Sequence, residues 1–530
     1  MPEYFYFLNR KNNGDGFRES VSGAIFVDKS DLIDILNEKI STKEKWICVS
    51  RPRRFGKTTA LEMLSAYYTK GIHSDSLFQG LKIKDRVHYY KHLNAHNVIL
   101  INFNDYFEKL PVDQGLEEIA HHLIDDLKQA FPEAVDESGD LIRQFDRVEQ
   151  ITGEKFIFLF DEWDCVFRFH KGKKKEQETF LSFLRLLLKD KSYVELAYMT
   201  GILPIKKYNT GSALNMFREY TILEPKKLAP FFGFTEEEIR QLCTGCAQTS
   251  FEEITLWYDG YCMPGVGGIS NPCSVVQALE ENICRDYWNK TGGYSELEEY
   301  ITMDFDGLGQ AVTELIAGES VKVGVLGFSN DLDSFRDKDE VLTALIHLGY
   351  LTYEGGCVRI PNKEIREEFS NTVKKLSWGA VSSLLRHSKE LLAAVLDEDE
   401  EKVAEMLEDV HDGMQEFKEY NNEHTLKCVI HLAFYAAADD YTLKFESPSG
   451  KGYADCLMIP RISGRPGIVL ELKYGKTAED ALKQIKERNY IKAFDKNVKN
   501  IVLAGINYDR KTKKHQCLIE TVTAPYSWFA

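Results

Sequence analysis

The chain has 530 residues, 43% hydrophobic and 12% aromatic, with a formal net charge of −17 and 11 cysteines. That length exceeds a single hydrophobic core and predicts two to four domains, and the aromatic content excludes a disordered chain. The negative charge argues against a surface that coats nucleic acid, and an odd number of scattered cysteines excludes a disulfide framework. No run approaches the ~18 apolar residues of a membrane span. Met1-Pro2-Glu3-Tyr4 opens without the basic region of a secretory leader. The expected location is the cytoplasm, with no membrane partner.

In chain order, Phe26-Val27-Asp28-Lys29-Ser30 leads into a helix from Asp31, with Ser30 placed to cap it. The apolar run Trp46–Ser50 reads as a buried strand and Ala60–Tyr68 as a helix. Between them lies Arg51-Pro52-Arg53-Arg54-Phe55-Gly56-Lys57-Thr58-Thr59. Strand, tight loop, Gly-Lys-Thr and helix is the layout of a phosphate-binding loop, in which backbone N–H groups and the helix N-terminus face an anion. Lys57 is the expected partner of ATP β and γ phosphates, and Thr58 the expected Mg²⁺ ligand. Arg51 stands where the usual pattern has glycine. Arg53, Arg54, Phe55, Gly56 and Thr59 complete the expected nucleotide contacts, the two arginines as a basic rim at its mouth.

Asn97–Phe103 is the next strand and Gly115–Phe131 an amphipathic helix. Lys155-Phe156-Ile157-Phe158-Leu159-Phe160 runs into Asp161-Glu162, so a buried parallel strand ends in two carboxylates. Ligand sites of open α/β sheets lie at such ends. Asp161 is expected to hold Mg²⁺ and Glu162 to polarise the attacking water. Val194–Gly201 is a further strand whose Thr200 sits at a position for sensing the γ-phosphate, and Tyr220–Leu223 is a weaker fifth. A strand between the loop and the acids fits the ATPase branch with an added central strand and a catalytic glutamate.

From Phe232 the texture becomes helical. Thr235-Glu236-Glu237-Glu238 is a capping box, and helical periodicity covers Ile283–Ile316, Asp337–Gly349 and Val373–Val410. The acid run Asp397–Glu401 marks an exposed stretch near a boundary. Cys243 and Cys246, followed by Cys262 and Cys273, lack the second Cys-x-x-Cys of a zinc site and read as free thiols.

The last 115 residues differ in charge. Residues 416–530 carry 18 Lys and Arg against 14 Asp and Glu, a net +4 that leaves −21 on the rest. Asn422–Ala438 reads as a helix bearing Glu423, and Gly452–Ile459 as a strand holding Asp455. In Gly467-Ile468-Val469-Leu470-Glu471-Leu472-Lys473-Tyr474 the period of two puts Val469, Glu471 and Lys473 on one face. A carboxylate and an ammonium side by side on an apolar strand are costly unless paired or functional. With Asp455 as second carboxylate, the set suits Mg²⁺, which takes one or two protein oxygens and keeps several waters. A metal there lowers the pKa of its bound water, and Lys473 is placed to position that water or to meet phosphate charge. The following helix, Thr477–Phe494, is expected to carry Gln484 and Tyr490 and to lie beside the site.

The chain resembles, over nearly its whole length, a bacterial family that fuses an AAA-ATPase-like domain to a PD-(D/E)XK nuclease-superfamily domain. Its landmarks are Phe26–Ser30, Arg51–Thr58, Phe160-Asp161-Glu162-Trp163-Asp164, Thr200-Gly201, Phe234–Glu238, Trp257–Tyr261, Asn271-Pro272, His347–Thr352, Gly452-x-Ala454-Asp455, Glu471-Leu472-Lys473 and Gln484-Ile485. The resemblance implies an α/β fold with an N-terminal P-loop parallel sheet, a helical middle and a restriction-endonuclease-like end. It assigns 1–230 to the ATPase-like domain, 231–415 to a helical connector and 416–530 to the nuclease-like domain. It implies ATP and Mg²⁺ roles for Lys57, Thr58, Asp161 and Glu162, with Thr200 as sensor. It matches Asp455, Glu471 and Lys473 to a nuclease core, with Glu423 and Gln484 as accessories. Arginine at position 51 is a feature that family shares.

The expected function is therefore an ATPase coupled to a Mg²⁺-dependent nuclease, with DNA favoured over RNA as substrate and a defence or mobile-element setting. A homo-oligomer is left open. The alternative is a nucleotide-controlled switch that binds nucleic acid or a protein partner without cutting.

Overall fold

The computed structural model describes residues 4–205, 214–244, 249–288, 294–303, 305–328, 332, 334–376, 378–413, 428, 430–449, 452–488, 490, 494, 498–509, 512 and 514–523. It divides into two compact units, residues 1–291 with 322–365, and residues 292–321 with 366–530.

The first unit is built on a parallel sheet of Trp46–Ser50 (β1), Asn97–Asn102 (β2), Phe156–Asp161 (β3), Val194–Gly201 (β4) and Arg218–Tyr220 (β5). Its order is β2-β3-β4-β1-β5, so β4 lies between the strand feeding the phosphate loop and the strand ending in Asp161. β3 is buried along its length, as its unbroken apolar run requires when helices cover both faces. Ile47, Val49, Ile157, Leu159, Leu196 and Tyr198 pack on one face against Leu61, Leu64 and Tyr68 of the helix Lys57–Tyr68 (α1). The fifth strand begins at Arg218, two residues earlier than expected, because Ile47 to Val49 pair with Arg218 to Tyr220. Ser30 does not cap the helix at Asp31; its hydroxyl accepts the Ile83 N–H at 3.1 Å instead. The capping box does form, with Thr235 N–H to Glu238 Oε2 at 2.8 Å.

The helical middle is more broken than its periodicity suggested. Among the described residues, the stretch from Ile283 holds the helices Tyr294–Ile301 and Leu308–Ala317. Residues 363–413 form three, Lys363–Leu376, Gly379–Leu396 and Glu400–Gly413. The acid run at Asp397 is the turn between the last two, with Glu398 at a φ of 59°.

The second unit carries a mixed sheet of Tyr441–Ser449 (β6), Gly452–Pro460 (β7), Gly467–Tyr474 (β8), Asn500–Asp509 (β9) and Lys514–Thr523 (β10), in sequence order. All neighbours are antiparallel except β8 and β9. The helix Ala478–Arg488 (α2) is the crossover joining these two parallel strands. Gly505 lets it sit close: a Cβ there would lie 2.6 Å from the Ala478 carbonyl oxygen. Ala454, Leu457, Val469, Ile485, Leu503 and Tyr490 form the core beneath. Among the described residues no helix is long and apolar enough to cross a membrane.

Candidate ATPase and nuclease sites

β1 delivers the chain into the phosphate loop, which turns at Gly56 with a φ of 83°, a conformation that favours glycine, and enters α1 at Lys57. Lys57 is buried, and its ammonium donates to the carbonyls of Arg51 at 3.0 Å and Pro52 at 2.9 Å. Burial lowers its pKa, against the nearby charges of Glu162 and Asp161. Thr58 and Thr59 are exposed on the first turn, and Phe55 is buried edge-on against Tyr261.

The arginine in the glycine slot turns away from the loop's concave side. Arg51 is fully buried, donating to the Ser50 carbonyl at 2.9 Å and the Tyr220 carbonyl at 2.7 Å, with its guanidinium 5.1 Å from the Phe232 ring. It ties the end of β1 to the end of β5, and burial brings its pKa down to about 9. Arg54 reaches sideways to the Tyr287 carbonyl at 2.7 Å and lies 5.9 Å from the Trp288 ring, whereas Arg53 is exposed.

Asp161 is the hub of the strand ends. Its Oδ2 accepts the Thr58 hydroxyl at 3.0 Å, and its Oδ1 accepts the Thr200 hydroxyl at 2.5 Å and the Glu162 N–H at 3.0 Å. Phosphate loop, β3 and β4 are thus joined through one carboxylate. Glu162 follows at a φ of 52° and is ion-paired with Arg168. Burial first, then the Asp164 charge, raises its pKa.

The phosphate loop and Glu162 open on a cavity of about 710 Å³, within the size range of small-molecule sites. Lys57, Thr58, Glu162, Arg53 and Arg54 line one part, and Ile25, Phe26, Val27, Phe234 and Val276 give it apolar walls.

In the second unit, β8 holds Glu471 and Lys473 on the same face, and Lys473 Nζ donates to Glu471 Oε1 at 2.7 Å. Gln484 of α2 donates to the same oxygen and, at 3.2 Å, to the Tyr490 hydroxyl. Asp455 on β7 accepts the Leu472 N–H at 2.7 Å. Glu471 is 1% exposed, and its Oε2 has no hydrogen-bond partner among the described residues. Burial and then the Asp455 charge push its pKa up to about 7. Two carboxylates crowded together with an unsatisfied buried oxygen fit a divalent cation. Glu423 lies outside the described residues, as does Cys246. Among the described residues no group of three His, Cys, Asp or Glu side chains is placed to hold a metal.

Residues 17–210 match the family described as Predicted AAA-ATPase, and residues 421–517 match the PD-(D/E)XK nuclease superfamily. The chain joins an AAA-ATPase-like domain to a PD-(D/E)XK nuclease-superfamily domain.

No curated protein matches the chain. Among solved structures, the Walker-type ATPase of Pyrococcus abyssi aligns at 13% identity over 64% of this chain and 94% of its own, with a TM-score of 0.34. The ORC2 protein of Aeropyrum pernix, solved with ADPNP and ADP, aligns at 11% identity over 71% of this chain and 95% of its own, with a TM-score of 0.31. Both are distant likenesses, too weak to bear on function.

Within the ATPase-like domain, the structure brings together Lys57, Thr58, Asp161, Glu162 and Thr200, and sets Arg51 and Arg54 on neighbouring backbone. In the nuclease-superfamily domain it gathers Asp455, Glu471, Lys473 and Gln484. Sequence reading named Asp164 only as a family landmark, without a role, and did not name Arg168. Asp164 is fully buried, and its Oδ2 accepts the N–H groups of Ile202 at 3.1 Å and Leu203 at 2.9 Å, fixing the chain beyond β4. The available signal was their i,i+4 spacing just past an acid-tipped strand.

Proposed function

We propose that the protein binds and hydrolyses ATP in the first unit and cleaves phosphodiester bonds, with DNA as the favoured substrate, in the second. The observation that carries the nuclease half is Glu471, buried beside Asp455, with its Oε1 held by Lys473 and its Oε2 without a hydrogen-bond partner among the described residues. The hydrogen-bonded set Thr58–Asp161–Thr200 supports the ATPase half.

In the ATPase half, the N–H groups at the start of α1 receive phosphate oxygens, and Lys57 exchanges the Arg51 and Pro52 carbonyls for them. Ile25, Phe26, Val27 and Val276 supply apolar surface for the base. Glu162 takes the proton of the attacking water, and Thr200 holds the Asp161 carboxylate in orientation. Thr58 and Asp161 would hold Mg²⁺, which supplies neutralisation of phosphate charge.

In the nuclease half, Asp455 and Glu471 would hold Mg²⁺, whose chemistry there is to acidify water and neutralise phosphate. Gln484 fixes the Glu471 rotamer, and Lys473 presents an ammonium to the attacked phosphate. The mildly basic C-terminal stretch lowers repulsion toward a polyanion on an otherwise acidic chain.

Plasmid and linear DNA incubated with Mg²⁺, with and without ATP, test the reading. Wild type is expected to cut and Lys473→Ala to be inert. Identical behaviour of the two would remove the nuclease assignment.

A further inference from the structure

The nucleotide cavity holds a charged side chain that the phosphate loop and the strand-end acids do not explain. Arg168 stands six residues beyond Glu162, on the short helix Cys165–Phe169. Its guanidinium is ion-paired with the Glu162 carboxylate, meets Asn104 Oδ1 at 3.4 Å and lies 3.6 Å from Asp164 Oδ2. The side chain is 10% exposed, and it lines the same cavity as Lys57, Thr58 and Glu162. Two cations therefore face one space within one chain.

A carboxylate oxygen engaged in an ion pair with a guanidinium is not free to approach the attacking water. Glu162 must be released to serve the hydrolysis proposed above. The nitrogen that held Glu162 can then take another anion, with Asp164 Oδ2 still 3.6 Å from Nε. The group that enters this cavity with the right charge and geometry is a terminal phosphate, whose oxygens suit the planar donor fork of arginine. Glu162 itself sits at a φ of 52°, a strained conformation of the kind held at sites that change state. Asp164, anchored to the Ile202 and Leu203 N–H groups, is a fixed acid beside the arginine and serves as a positioning residue.

We infer that Arg168 is a γ-phosphate ligand acting in cis, holding Glu162 in the nucleotide-free chain and exchanging it for the γ-phosphate of ATP bound to the same chain. In the step that follows, the water oxygen bonds to the γ-phosphorus and the bond to the β–γ bridging oxygen breaks. ADP keeps that oxygen, and the water proton passes to the released Glu162. Arg168 meets the charge on the γ-phosphate oxygens throughout. No arginine from a neighbouring chain is then needed for turnover.

This inference rests on the ATP-hydrolysing reading, and the experiment separates the two. Affinities of the full chain for a non-hydrolysable ATP analogue and for ADP are measured with Mg²⁺, followed by phosphate release from ATP. Arg168→Ala is expected to weaken the analogue on the order of 10- to 100-fold and to leave ADP affinity within about twofold. Turnover is expected to fall by at least ~100-fold, with partial recovery in Arg168→Lys. Retained ADP binding reports an intact fold. Equal weakening of both nucleotides, or faster turnover, would overturn the inference. An equal mixture of Lys57→Ala and Arg168→Ala chains is expected to stay inactive, and recovered turnover would place the arginine in trans and overturn the cis assignment. A wild type that neither binds nor hydrolyses ATP would overturn the ATPase reading itself.

Discussion

The two sites use the same ingredients in different mechanical settings. Each pairs a glutamate with a cation beside further acid: half-buried Glu162 with Arg168 near Asp161 and Asp164, and buried Glu471 with Lys473 near Asp455. In the second unit the cation is two residues along the same strand, so the sheet fixes the pair and α2 clamps it through Gln484. In the first unit the cation lies across a strand-to-helix turn on a long side chain, and the glutamate backbone is strained. On the proposed reading the strand-borne pair holds a metal and the turn-borne pair is exchanged.

The sharpest way to break this contrast is at the strand-borne pair. Glu471→Gln keeps the shape but removes the charge, and cleavage is expected to fall on the order of 10³-fold. A gel assay of nicked and linear DNA checks it. Lys57→Ala is the matching change in the other unit, expected to lower ATP turnover on the order of 100-fold with DNA cleavage in the absence of ATP unchanged.

Gly505→Ala tests whether the second site depends on a rigid clamp. The added methyl meets the Ala478 carbonyl oxygen at 2.6 Å and the Leu482 nitrogen at 3.0 Å, backbone atoms that cannot swing aside. A cost of about 1–3 kcal/mol in stability and reduced cleavage are expected, measured by denaturant unfolding and by the same gel assay.

What the chain disclosed about itself follows the same division. Periodicity exposed the Glu471–Lys473 face, because side chains of a strand alternate and no tertiary information is needed to place them. The apolar runs Val98–Ile101, Phe156–Phe160 and Leu196–Met199 likewise became the buried core strands. Arg168 stayed hidden because its meeting with Glu162 depends on how the chain leaves β3, which no spacing rule encodes. Arg51 was legible as an oddity in the phosphate loop but not as a strut, since its direction depends on where β5 ends. Ser30 carried a cap residue in the right place, yet the Ile83 N–H claimed its hydroxyl.

Arg51→Gly, which restores the common loop pattern, is expected to destabilise the first unit by about 2–3 kcal/mol by leaving the Ser50 and Tyr220 carbonyls unpaired. A thermal unfolding midpoint that did not fall would show that the guanidinium is not a strut. The smallest effect concerns Glu364, which accepts the N–H groups of Tyr287 at 2.9 Å and Trp288 at 3.0 Å. Burial raises its pKa to about 7. The folded chain therefore binds this proton more tightly than the unfolded one, so the associated stability is present at low pH and lost as pH rises toward and through 7. In Glu364→Gln the decline in unfolding midpoint from pH 5 to pH 8 should flatten.

The most direct test of two separate sites is to measure ATP turnover and DNA cleavage on the same preparations of wild type, Lys57→Ala and Lys473→Ala. The account predicts that Lys473→Ala hydrolyses ATP at the wild-type rate and does not cut DNA, while Lys57→Ala fails to hydrolyse ATP. Cleavage that survives Lys473→Ala, or ATP turnover that falls with it, would contradict the account.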